Sequence, residues 1–164
     1  MLYYWNPRLP ASQGKYGSFY DIQDQQITED QINIGRPVLL RQTAEADGFS
    51  IVDNSKITAQ YPGVYDVQFS FQFHYTGGGG SGEIVEIWLV VNGNQVPETN
   101  TRVVVSSNHP YTVAAWDFIV NFAAGDNAQL YWATDNHHII IQHDTSAMGG
   151  PDIPSAIVSV LPVA

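Results

Sequence analysis

Hydrophobic and polar residues alternate with a period of two along most of this chain, and nowhere with a sustained period of 3.6. The stretch 63–75, GVYDVQFSFQFHY, is the clearest case. Tyr65, Val67, Phe69, Phe71, Phe73 and Tyr75 fall on one face, and Asp66, Gln68, Ser70, Gln72 and His74 on the other. An extended chain sends successive side chains to opposite sides, so this is a long strand with a core face and a polar face. The same reading places strands over 37–42, 49–53, 56–59, 83–91, 101–105, 111–123, 127–134, 137–143 and 155–163, punctuated by Gly, Pro, Asn and Asp. Many short strands at regular spacing predict an all-β sandwich or barrel, one domain over 16–164. Residues 1–15 show no alternation; aromatic and then proline-rich, they read as an arm, either disordered or laid on a neighbour.

Several strands are apolar on both faces. In 83–91, Val85, Ile87, Leu89 and Val91 line one face, while Ile84, Trp88 and Val90 lie on the other. In 111–123 the core face is assigned to Thr112, Ala114, Trp116, Phe118, Val120 and Phe122, which leaves Tyr111, Val113 and Ala115 outside. In 155–163, Ile157 and Leu161 oppose Ala156, Val158 and Val160. A monomeric sandwich needs one apolar face per strand, and a second marks an interface or a face covered by the chain's own loops or arm. Because the property recurs in several strands, oligomerisation is preferred, with Trp88, Val90, Tyr111, Val113 and Ala115 as candidate subunit contacts.

The run TGGGGSGE at 76–83 invites other readings. Gly77, Gly79 and Gly82 have dinucleotide-loop spacing, but such a loop leads from a strand into a helix, and here a strand follows. A phosphate loop needs Lys where Glu83 stands. An interdomain linker would leave two half-sandwiches. The run is therefore expected to be a mobile, exposed hairpin tip.

Charge and composition narrow the function. Six Lys+Arg stand against sixteen Asp+Glu, a formal net charge of −10 with no basic cluster, which argues against groove or phosphate binding to nucleic acid and disfavours anionic membranes. Charged residues make up only 13% of the chain, so its surface is largely uncharged and polar, as is common in extracellular β-proteins and virion proteins. There is no cysteine, hence no disulfide or thiolate metal site. The first residues have no charged-then-apolar signal pattern, and no apolar run approaches membrane-span length. His137 and His143 would share a strand face but stand about 20 Å apart, too far for one metal. No carboxylate pair or Ser–His–Asp order stands out, so no enzyme activity and no cofactor are expected. Trp88, Trp116, Trp132 and Tyr131 could stack on sugars, yet Trp116 and Trp132 fall on core faces, and an interface accounts for Trp88 equally well.

Ile57, then Gly63-x-Tyr65-x-Val67-x-Phe69, resembles the mid-domain signature of the tumour necrosis factor and complement globular-head jelly rolls. IWLVVNG (87–93), Phe118-x-x-x-Phe122-x-x-Gly125-Asp126-x-x-x-Leu130 and the ending SAIVSVLPV resemble their later strands and turns. Ile57 stands where the mammalian members prefer an aromatic residue. Closer still is a likeness to jelly-roll structural proteins of tailed phages, notably those infecting cyanobacteria. It lies in GSFYD (17–21), IWLVVNGNQVPETNTR (87–102), AAWDF (114–118) and IPSAIVSV (153–160). The resemblance implies a ten-stranded jelly roll, usually a homotrimer, on a virion surface. It points to a capsid decoration protein that binds the major capsid protein. The arm would act as a clamp to the capsid or a neighbour through Tyr3, Tyr4, Trp5, Pro7 and Pro10. The rival is a tail fibre or spike head that binds a host surface glycan through loops at the trimer tip.

Overall fold

The computed structural model describes residues 14–79 and 82–163. Within them lie thirteen strands: β1 (Tyr16–Asp21), β2 (Arg36–Pro37), β3 (Gln42–Asp47), β4 (Phe49–Val52), β5 (Lys56–Ala59), β6 (Gly63–Tyr75), β7 (Glu83–Val91), β8 (Asn94–Gln95), β9 (Thr101–Val105), β10 (Tyr111–Phe122), β11 (Asn127–Thr134), β12 (Ile139–Ile141) and β13 (Ala156–Pro162). β2, β8 and β12 are two or three residues long, and the other ten have four or more. The only helical turn among the described residues is a 3₁₀ turn at Glu29–Gln31, and no helix is long and apolar enough to cross a membrane.

The strands form two sheets. Sheet one runs β10-β6-β13-β1-β3, with β12 also against β6. Sheet two runs β4-β5-β11-β7-β8, with β2 against β11 and β9 against β7. Every pairing is antiparallel. Tyr65, Val67, Phe69, Phe71, Phe73 and Tyr75 are all buried, as the alternation of β6 predicts. They meet Val85, Ile87 and Leu89 of β7 and Leu130 and Trp132 of β11 in one core, where Phe49, Tyr65 and Phe122 pack edge-to-face at 4.7–5.9 Å. Burial pushes the Tyr65 hydroxyl above its usual range, and the hydroxyl has no hydrogen-bond partner.

The structure departs from the sequence expectations in several places. Only Ile139–Ile141 of the strand expected over 137–143 forms a strand. The strand expected over 37–42 is divided: β2 pairs with β11 in sheet two and β3 with β1 in sheet one. Between them Val38 N–H bonds Leu130 O, and Leu40 N–H bonds Asn54 O. Val38 and Leu40 are buried, so the alternation there marks a chain crossing the sandwich edge. β3, QTAEAD, was not anticipated, since all six of its residues are exposed and no apolar pattern exists to read. β1 appeared only as the motif GSFYD, because its buried face carries Gly17, Phe19 and Asp21. Finally, the strands that flank the glycine run form no hairpin: β6 and β7 belong to different sheets. The true two-residue hairpin is β7–β8, where Val91 pairs with Asn94 across Asn92 (φ 50°) and Gly93 (φ 79°).

Candidate functional site: an unpartnered sheet face and a groove behind it

The outer face of sheet one is set by the register of β10 on β6 and of β6 on β13. Tyr111, Val113, Ala115 and Ile119 lie opposite His74, Gln72, Ser70 and Asp66, and Ile157 and Leu161 lie on the far side against Ser70 and Asp66. The face is thus a polar strip along β6 between two largely apolar margins, interrupted at Asp117 on β10 and Ser159 on β13. Tyr111, Val113 and Ile119 are 64%, 58% and 60% exposed, and Ile157, Leu161 and Ala115 are exposed too. Tyr111 stacks flat on His74, rings 4.3 Å apart, which fixes one corner of the face.

β10 is also the edge of its sheet and is twelve residues long. Its other face was expected to be core throughout. Ala114, Val120 and Phe122 are indeed buried, but Trp116 and Phe118 between them are only half-buried. Both pack on Phe69, at ring distances of 4.6 and 6.1 Å. The strand therefore shows solvent a free backbone edge with apolar side chains on both sides, a combination that proteins ordinarily cover or disrupt.

The candidate contacts on β7 fare differently. Val90 is 3% exposed within the single chain, and so is closed to a partner. It lies outside the main core, beside the buried Gln129, whose amide donates to the Ser55 hydroxyl at 2.8 Å. Trp88 is half-buried because its own chain supports it. Gly35 flanks β11 at the end of β2, and a Cβ there would lie 2.4 Å from Trp88 Cζ2. Tyr131 packs beside the ring at 5.9 Å. The second apolar face of β7 is thus closed by the chain itself at Val90 and partly covered by it at Trp88. The proposed clamp residues Tyr3, Tyr4, Trp5, Pro7 and Pro10 lie outside the described residues.

Around Trp88 the outer face of sheet two forms a groove of about 510 Å³, continuous with a second hollow of about 290 Å³ through Asn33, Glu86 and Ala133. Glu86 sits at the junction. Its carboxylate accepts from Asn100 Nδ2 at 3.0 Å and from Arg102 Nε at 3.2 Å and Nη2. The Arg102 bonds, then the Asn100 bond, hold the Glu86 carboxyl below its usual range. The 96–99 turn is pinned to β7: Val96 N–H bonds Leu89 O, and the Thr99 hydroxyl takes Leu89 N–H while donating to Val96 O. Asn33, Gly35, Glu86, Asn100 and Arg102 were not singled out as site residues from the sequence, although Asn100 and Arg102 belong to the quoted stretch 87–102.

The histidines do not converge on a metal. The His137 and His138 rings are 4.2 Å apart, while His143 Nδ1 lies 2.8 Å from Ile153 O. Among the described residues no group of three or more His, Asp or Glu is placed to hold a metal ion.

The two sheets and their order define a jelly roll of the tumour necrosis factor and complement globular-head type. The chain is similar to the globular domain of zebrafish complement 1qA, with a TM-score of 0.55 at 13% identity over 92% of this chain and 98% of that one. It is also similar to murine APRIL, with a TM-score of 0.56 at 8% identity over 91% and 98%. At such identities the likeness is one of fold. No family model and no curated protein matches the sequence.

Proposed function

We propose that the chain is a structural protein of a phage virion that associates with itself as a homotrimer and decorates the capsid. The observation that carries the self-association is the outer face of sheet one, where Tyr111, Val113 and Ile119 stand more than half exposed on a long, unpaired edge strand. A second copy would cover both the apolar margins and the edge, and completely burying a valine or isoleucine side chain is worth about 1.5–3 kcal/mol. The sequence likeness at 17–21, 87–102, 114–118 and 153–160 supports the virion setting. A surface poor in charged residues, with no basic cluster, suits a protein that binds other proteins. In this reading the trimer sits where major capsid subunits meet and adds buried interface against internal pressure. Residues 1–15 would clamp it there, with Pro7 and Pro10 reducing the entropy lost on docking.

The test is stoichiometry. Quantitative mass spectrometry of purified particles should find the chain in numbers matching capsid subunit junctions. A count matching a tail tip would replace this role with that of a fibre head. Removing residues 1–15 should release the protein from capsids while leaving its oligomeric state intact; retention on the capsid would refute the clamp.

A further inference from the structure

We propose that the groove on the outer face of sheet two binds a neutral saccharide, with Trp88 as its stacking platform and the polar side chains beside it as the hydroxyl-reading rim. This site does not depend on the decoration trimer: it lies on the opposite sheet from the self-association face, so assembly would leave it open.

A sugar ring offers an apolar C–H face and a fringe of hydroxyls, each both donor and acceptor. Its receptor needs an aromatic plane with one side supported and the other accessible, next to rigid groups that accept and donate. Trp88 is supported by small residues: Gly35 has no Cβ, and a Cβ there would overlap the indole. Ala133 is the other small residue at the groove wall. The ring nevertheless lines the groove. Glu86 presents about four lone-pair positions. Three are taken, one by Asn100 and two by Arg102, which leaves acceptor capacity on a side chain already fixed in place. Gln95 and Asn33 add amides at the margins. Prior ordering of such groups reduces what binding must spend to immobilise them.

Charge selects the class of sugar. Arg102 neutralises Glu86, the remaining groove acids are Glu98 and Asp135, and the chain carries −10 overall. Sulfated or carboxylated saccharides are repelled by this field. Trp88, Gln95, Asn100 and Arg102 all come from the stretch 87–102, in which Val96 packs against the core while Gln95, Asn100 and Arg102 stay exposed.

The test uses the whole chain with neutral tetrasaccharides of glucose, of galactose and of mannose, followed by calorimetry and tryptophan emission. At least one should bind saturably, one per chain, with a change in emission that Trp88→Phe removes. Trp88→Ala should weaken binding at least about tenfold through loss of the aromatic plane. Gln95→Ala, an exposed substitution that spares the fold, should weaken it about fivefold, the worth of one hydrogen bond. Val113→Asp should leave the affinity per chain unchanged even where it dissociates the oligomer, so the two proposals fail separately. The inference is overturned if no tetrasaccharide saturates, if a sulfated analogue binds more tightly than its neutral parent, if the emission change survives in Trp88→Phe, or if neither Trp88→Ala nor Gln95→Ala weakens binding.

Discussion

Asp21 is fully buried on the core-facing side of β1, an unusual place for a carboxylate. Its oxygens accept from Arg41 Nη1, from Gln25 Nε2 at 2.8 Å and from the Ile22 N–H at 2.9 Å. Gln25 in turn donates to Leu39 O and accepts from Leu39 N–H. One acid thereby ties β1 to the segment that crosses between the sheets. Asp21→Ala would take this acceptor from the buried Gln25 amide and the half-buried Arg41 guanidinium, and we expect a loss of about 3 kcal/mol in denaturant unfolding; a loss below about 1 kcal/mol would contradict the network's importance. Asp126 makes a different prediction. The Ala123 N–H, then the Asn92 amide, hold its carboxyl below the usual 3.8. A depressed folded-state pKa adds stability above the unfolded value and loses it as pH falls through the folded one. The stability gap between the wild type and Asp126→Ala should therefore be full at neutral pH and shrink as pH drops below 3.8; a gap independent of pH would exclude this role. At this scale the sequence was legible where a residue's face decided its fate, as for Phe71 or Ile87. It was not legible for Val90 and Trp88, whose cover comes from within the chain, Trp88's from the distant Gly35.

Elements with a clear apolar face announced themselves. β6, β7, β9 and β11 run between the residues that the alternation marks. Strands without such a face did not: β3 is a wholly exposed edge, and β1 hides its alternation behind Gly17 and Asp21. A period of two also cannot tell which sheet a strand joins, so the glycine run read as a hairpin tip although the strands that flank it belong to different sheets. Asn92–Gly93 is the turn whose chemistry does specify its geometry. Both residues have positive φ, and a Cβ on Gly93 would meet no atom within 4 Å. Gly93→Ala should thus cost only the backbone penalty, about 1 kcal/mol, measured as a shift in the unfolding midpoint. A cost several times larger would mean that the turn is held by contacts and not by its dihedral angles.

For the whole molecule, the sandwich follows from pattern and composition together: enough apolar strands for two layers, no helical stripe, no cysteine to staple loops. Both proposals rest on the asymmetry between its two outer faces. Sheet two carries a groove with fixed polar side chains, whereas sheet one carries apolar margins and an uncovered edge. Val113→Asp would place a charge within the proposed contact, where burying it unpaired is costly, without touching the core. The most direct test of self-association is sedimentation equilibrium of the purified chain at micromolar concentration. We predict a particle of three times the 18.1 kDa chain mass that Val113→Asp reduces to single chains with unchanged circular dichroism. A wild-type chain that sediments as a monomer across the concentration range would contradict the account.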